Sequence, residues 1–181
     1  ARHIPVATLP GAAERTLTIS SAGKTFSATG WKVGWINGPA ALITAVLTVK
    51  QFLTYVGAAP FQPAVAVGLR LGDAFFADAA ATLAHKHDVL GAGLQAAGFT
   101  VFAPQGGYFT LADATAVGGA DGAEFCRTLP ERFGVGAIPL AAFLPPAHRA
   151  DPEYAGIVRF AACKKVSVID EAVSRLARLR D

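Results

Sequence analysis

The stretch that decides the reading is Ser21-Ala22-Gly23-Lys24-Thr25-Phe26-Ser27-Ala28-Thr29-Gly30-Trp31-Lys32-Val33-Gly34-Trp35. Immediately before it, residues 17–20 (Leu-Thr-Ile-Ser) are short, apolar and β-branched, as in a buried strand. The chain then enters a polar turn that carries one lysine. A hydroxyl stands three residues before Lys24, and a second cation, Lys32, eight residues after it. An amine that attacks a carbonyl must be neutral, and partial burial beside another cation favours that state. A phosphate group asks for hydroxyls, backbone N–H groups and a fixed cation. Gly30 and Gly34 would let a ligand or a neighbouring strand approach the backbone closely. An isolated Ser-x-x-Lys would more simply be a solvated surface turn, and only the whole stretch is specific.

Outward from this stretch, residues 33–36 read as a second strand, closed by Asn37-Gly38-Pro39. Residues 39–52 have helical spacing, with Leu42, Val46 and Val49 on one face. Residues 57–60 break that pattern, and Pro63 opens another helix near Ala64. A long helix begins after Gly72-Asp73, with an apolar stripe of Phe76, Ala80, Leu83, Leu90 and Leu94, and ends at Gly98. Strands over 100–103 and 108–112 flank a Gly106-Gly107 turn. A helix over 123–132 comes next, then strands near 135–138 and 157–162. Ser167 with Asp170 resembles a cap for a last helix whose inner face is Ile169, Val173, Leu176 and Leu179. Pro145-Pro146-Ala147-His148 reads as a surface loop. The class is α/β: residues 1–71 look like the end of an α/β sheet domain, and residues 72–181 like a smaller α+β domain.

Composition narrows the function classes. Only 16% of the 181 residues are charged and 52% are hydrophobic, which favours packed structure over disorder. The net charge is +3, but the basic residues are scattered, so no nucleic-acid partner is expected. No apolar run approaches the roughly 20 residues that span a bilayer, so no membrane partner is expected either. Cys126 and Cys163 lie far apart and suggest neither a disulfide framework nor a zinc site; a reducing, cytoplasmic setting fits. His3, His85, His87 and His148 have no metal-ligand spacing, and no metal is expected; His85 and His87, two apart on a helix, point to different faces. Asp113, Asp121 and Glu124 read as solvated or capping residues, and Cys163 as core. The start Ala1-Arg2-His3-Ile4-Pro5 has no signal-peptide shape and no Met, which suggests a cut or processed start.

The stretch around Lys24 resembles the cofactor-lysine signature of the class I/II, fold type I, pyridoxal-phosphate (PLP) aminotransferases. It is most similar to the branch of kynurenine and methionine aminotransferases, cysteine-conjugate β-lyases and actinobacterial N-succinyldiaminopimelate aminotransferases. The resemblance implies a large domain with a mixed, mostly parallel sheet, whose C-terminal part is 1–71, and a small C-terminal domain, 72–181. It implies that Lys24 carries PLP as a Schiff base and is catalytic, and that Ser21 and Lys32 bind the cofactor phosphate. Lys32 stands where many relatives have Arg, which keeps the charge but not the two-donor fork.

Gly156-Ile157-Val158-Arg159-Phe160-Ala161 resembles the strand whose arginine grips the substrate carboxylate, for which a planar fork is suited. Read alone, such an arginine is equally a buried ion-pair partner. Pro104-Gln105-Gly106-Gly107-Tyr108-Phe109 resembles a hairpin whose aromatic pair, here Tyr108 and Phe109, lies near the substrate; ordinary strand packing is the other reading. Residues 55–63 resemble a loop that reaches the partner subunit's active site; for its aromatics, core packing is the other reading. Residues 134–143 resemble a small-domain segment with Ala141 in place of the usual Ser.

The resemblance implies transamination of an amino acid to a 2-oxo acid, with 2-oxoglutarate as acceptor and N-succinyl-LL-2,6-diaminopimelate as a candidate donor, in a homodimer. The alternatives are a β-lyase and a catalytically incomplete fragment. The fragment alternative arises because the family's N-terminal half has no counterpart here. That half holds the Gly-containing phosphate turn, the stacking aromatic, the Asn, the Asp that pairs with the ring nitrogen and the Tyr at the ring hydroxyl. The 181 residues alone are expected to be inactive.

Overall fold

In a computed structural model, the structure is described for residues 3–57 and 59–180. Contacts divide the chain into two compact units, Ala1–Asp73 and Ala74–Asp181.

In the first unit, β1 (Thr18–Ser21) and β2 (Gly34–Asn37) form an antiparallel ribbon with Ser21 opposite Gly34. β1 lies where the sequence put it, but it is not buried: Ile19 is 74% exposed. Alternation turns Ile19 away from the small core of Ala22, Val33 and Val65, which Phe26 and Trp35 complete. The expected polar turn is instead a single helical turn, α1 (Ala22–Thr25), with Phe26 N–H donating to the Ala22 carbonyl at 3.0 Å. α2 (Ala40–Leu53) follows Pro39, and α3 (Gln62–Gly68) carries Pro63 in its first turn, where a missing N–H costs nothing. On α2 the half-buried residues are Leu42, Ile43 and Val46; Val49 is exposed, so the expected stripe stops a turn early.

The second unit packs three helices on a four-stranded sheet. The helices are α4 (Asp73–Ala96), α5 (Gly122–Phe133) and α6 (Val166–Leu176). The strands are β3 (Thr100–Phe102), β4 (Phe109–Asp113), β5 (Ile138–Pro139) and β6 (Ile157–Ala161), in the order β3-β4-β6-β5. Strands pair antiparallel in both sheets; the mostly parallel sheet implied by the resemblance is that of a whole large domain, and the first unit has only the β1–β2 ribbon among its described residues. Short loops such as the one joining β3 to β4 permit antiparallel pairing, whereas parallel neighbours need long crossovers. Residue alternation sorts the sheet. Thr110, Ala112, Val158 and Phe160 are buried against Leu90, Leu94, Phe125, Leu129, Ile169 and Leu176, while Phe109 and Arg159 take the opposite face. Phe99 meets Phe125 and Phe160 edge-on, at 6.0 and 5.7 Å between ring centroids.

Several local expectations shift. The stripe of α4 omits Ala80, which is exposed, and includes His87, which is buried and in line with Leu83, Leu90 and Leu94. β5 is only two residues long. α6 begins at Val166 with Lys165 at the cap position, so Ser167 lies inside the first turn and caps nothing. Residues 145–148 are exposed, as expected, and hold a short 3-10 turn. Asp121 caps α5, accepting from Ala123 and Glu124 N–H at 2.9 and 3.1 Å. Asp113 accepts from Thr115 N–H at 2.8 Å, and Glu124 pairs with Arg127. Cys163 is exposed beyond the end of β6 rather than in the core, whereas Cys126 is buried. No helix among the described residues is long and apolar enough to cross a membrane.

Candidate active site

In the first unit, the end of β1, α1 and the entry to β2 enclose a shallow pocket of about 310 Å³ lined by Ser21, Gly23, Lys24, Thr29, Lys32, Val33 and Gly34. The three residues expected to hold the cofactor are therefore neighbours. The fold brings them there in three steps. Ala22 N–H donates to the Val33 carbonyl at 2.9 Å, which continues the ribbon to the base of α1. Ala28 N–H donates to the Gly23 carbonyl at 2.9 Å, folding the connecting segment back. Lys32 then adopts a left-handed backbone, φ 53°, between a 3-10 turn and β2.

Lys24 is exposed rather than partly buried, because only Ala22 of its short helix faces the core. Ser21 occupies the cap position of α1, yet its hydroxyl makes no capping bond. Among the described residues neither Lys24 nor Lys32 pairs with a carboxylate. Two cations without counter-ions and two hydroxyls on one concave surface make an anion-attracting site with a primary amine in it. Gly34 is required by the close backbone: a Cβ there would lie 2.9 Å from the Ser20 carbonyl oxygen. At Gly30 a Cβ would meet open space, so no neighbouring strand requires a glycine there. Thr29 was missed by the sequence reading, although its hydroxyl is in the same stretch.

In the second unit, Arg159 pairs with Leu111 of β4 on one side and Ile138 of β5 on the other. Its guanidinium carbon lies 3.8 Å from the Phe109 ring centroid and 3.9 Å from that of Phe143. Among the described residues it pairs with no carboxylate. Ring faces attract the cation without using its N–H donors, so the fork is held in place and left free for a ligand. Phe109 is thus in contact with the candidate anchor. Tyr108 is not; its ring lies 6.3 Å from that of Phe109, and burial, with a smaller effect from Cys163, pushes its phenol pKa up. Phe143 was missed because no local pattern links it to Arg159, sixteen residues later. The 3-10 turn Leu140–Phe143, which includes Ala141, delivers it. In the loop 55–63, Ala58 lies outside the described residues; Tyr55, Val56 and Phe61 are exposed, not core, and Phe61 stacks on Trp31 at 4.9 Å.

A family model described as "Aminotransferase class I and II" matches residues 2–176. The chain belongs to this family. Its members are PLP-dependent, and the solved relatives are fold type I aminotransferases, matched over their C-terminal portion. One relative is the probable N-succinyldiaminopimelate aminotransferase DapC of Mycobacterium tuberculosis, 49% identical over 100% of this chain and 47% of its own length. The solved structure of N-succinyldiaminopimelate aminotransferase from that organism superposes with a TM-score of 0.92, at 50% identity, covering 99% of this chain and 46% of the other. A solved Escherichia coli protein described with a methionine aminotransferase function gives 0.87 at 35% identity, covering 97% of this chain and 45% of that one. A kynurenine–oxoglutarate transaminase of Dictyostelium discoideum is 36% identical over 98% of this chain and 45% of its own. The chain spans about half the length of the curated relatives it matches.

Proposed function

We propose that these residues serve a PLP-dependent aminotransferase in which Lys24 is the cofactor lysine and Arg159 the carboxylate anchor. The observation that carries this reading is the pocket shared by Ser21, Lys24 and Lys32. Its chemistry fits the cofactor: the Lys24 amine suits an aldehyde, and the Lys32 ammonium with the Ser21 hydroxyl suits a phosphate dianion. When bound, PLP supplies a ring that withdraws electrons from the substrate α-carbon. Lys24 Nζ would take the proton from that carbon as general base and, as general acid, hand it on to a position on the cofactor side and not back to the α-carbon. Arg159 holds the substrate carboxylate in a planar two-point grip and so fixes the direction of the breaking C–H bond. Phe109 and Phe143 keep the guanidinium in place between their rings.

Residues 1–71 are assigned to the end of the cofactor-binding large domain and 72–181 to the small domain. The matched relatives are about twice as long, so the reaction is assigned to a full-length protein, and the 181 residues alone are expected to be inactive. A reducing, cytoplasmic setting suits the free thiols Cys126 and Cys163, and a homodimer suits the family resemblance.

The similarity to N-succinyldiaminopimelate aminotransferases supports N-succinyl-LL-2,6-diaminopimelate as the donor, and the similarity to a kynurenine–oxoglutarate transaminase supports 2-oxoglutarate as the acceptor. The test is a panel of donors incubated with 2-oxoglutarate and the full-length protein, with glutamate as the readout. Turnover of the succinylated donor should exceed that of kynurenine and methionine. Preference for either of the latter would overturn the substrate assignment, and no glutamate from any donor would overturn the activity.

A further inference from the structure

His87 is buried on α4, yet both of its ring nitrogens are engaged across the sheet. Nε2 lies 2.9 Å from the Gly107 carbonyl oxygen, and Nδ1 lies 2.9 Å from the Thr110 hydroxyl. A carbonyl oxygen only accepts, so Nε2 must carry a proton, and in the neutral ring Nδ1 then accepts from the Thr110 hydroxyl. The two contacts bracket Tyr108 and Phe109 in sequence. Thr110 reaches His87 from the core face of β4, while Phe109 takes the opposite face and meets Arg159.

Past the Gly106-Gly107 turn the chain is tied to the sheet by Ala162 N–H, which donates to the Tyr108 carbonyl at 2.7 Å, and by the pairing of Phe109 with Ala161; the turn itself has only the His87 contact. No other hydrogen bond reaches Gly106 or Gly107 among the described residues. Gly107 has φ 76°, a conformation that lacks side-chain support. Beside it is a cavity of about 370 Å³ lined by Leu83, His87, Gly106 and Gly107 among others, so packing does not fix the turn on that side.

We propose that His87 is a positioning residue for carboxylate recognition: by holding Gly107 and Thr110 it fixes the strand entry from which Phe109 is presented to the Arg159 guanidinium. This rests on the reading of Arg159 as the carboxylate anchor. A looser turn would let the Phe109 ring drift, and Arg159 would lose one of the two rings that orient its fork. The consequence belongs to substrate affinity and not to the proton transfer at Lys24.

Two substitutions separate the contacts. In His87→Gln the longer amide can place an N–H near the Nε2 position and keep the bond to Gly107. In His87→Asn the shorter amide can still accept from Thr110, so the buried hydroxyl keeps a partner while Gly107 loses its donor. Steady-state kinetics on the full-length holoenzyme should give H87N a KM raised ~5- to 10-fold for the amino and oxo acids, with kcat within ~2-fold, and H87Q should restore KM to within ~2-fold of wild type. A purely structural His87 would lower the melting temperature of both variants and leave KM alone, and that result would overturn the proposal. Selective 15N-histidine labelling of the same protein supplies a readout independent of turnover. The resonance lost in H87N should be that of an Nε2–H ring, and an Nδ1–H ring there would also overturn it. If His87 shows the expected tautomer but Arg159→Lys leaves KM unchanged, the carboxylate reading itself has failed, and the proposal falls with it.

Discussion

Replacing Arg159 by Lys keeps the charge and removes the planar fork. The structure gives a way to size the effect. Arg159 has no carboxylate partner of its own among the described residues, so its N–H groups are uncommitted before substrate arrives. A lysine ammonium could replace one charge-assisted hydrogen bond to a carboxylate but not two parallel ones. Losing one such bond costs about 1.5–3 kcal/mol, or roughly 10- to 150-fold in affinity. The ring contacts at 3.8 and 3.9 Å add a smaller contribution. Phe143 is 50% exposed, so the lower end of the cation–π range applies, and Phe143→Leu should cost about 0.5–1 kcal/mol, or roughly 2- to 5-fold. The assay is KM for the amino and oxo acids in the full-length protein, with an amine donor that lacks a carboxylate as control. R159K should raise KM for the acids and leave the control unchanged. An equal loss with the control donor, or no loss with either, would refute the assignment. In a double-mutant cycle, F143L should matter less in the R159K background than alone, because the shorter, softer cation no longer sits between the rings.

Two further outcomes rest on the packing. Gly34→Ala would drive a methyl group into the Ser20 carbonyl at 2.9 Å and should destabilise the β1–β2 ribbon by about 1–3 kcal/mol, read as a lower thermal midpoint; an unchanged midpoint would contradict the register. Burial pushes the Cys126 thiol up to about 11, whereas Cys163 is exposed, so a chromogenic disulfide at pH 8 should titrate one thiol quickly in the native protein and the second only on unfolding. Fast reaction of both thiols would show that the α5 core is open.

The elements that the sequence disclosed were those with local signals. Pro63, Gly98 and the spacing of Leu83, Leu90 and Leu94 marked helices within a residue or two. The glycine-interrupted stretch around Lys24 held the whole candidate cofactor pocket, because Ser21, Lys24, Thr29 and Lys32 are close in sequence as well as in space. What stayed hidden depends on contacts between distant segments. Phe143 meets Arg159 only because β5 and the turn after it lie against β6. His87 read as one of four unremarkable histidines, although it fills the gap at position 87 in an apolar stripe whose other members were recognised. A polar residue at such a gap signals a buried hydrogen-bonded group, but its partners, Gly107 and Thr110, lie across the sheet. Ile19 shows the converse limit, since an apolar β-branched run gives strand propensity and not burial.

The central claim is that Lys24 is the lysine that takes the cofactor. The direct measurement is borohydride reduction of the full-length protein incubated with PLP, followed by peptide mass mapping. The account predicts a stable cofactor-derived mass on the peptide containing Lys24, absent in Lys24→Ala. A trapped adduct on Lys32, Lys50 or any other lysine, with the Lys24 peptide unmodified, would contradict it.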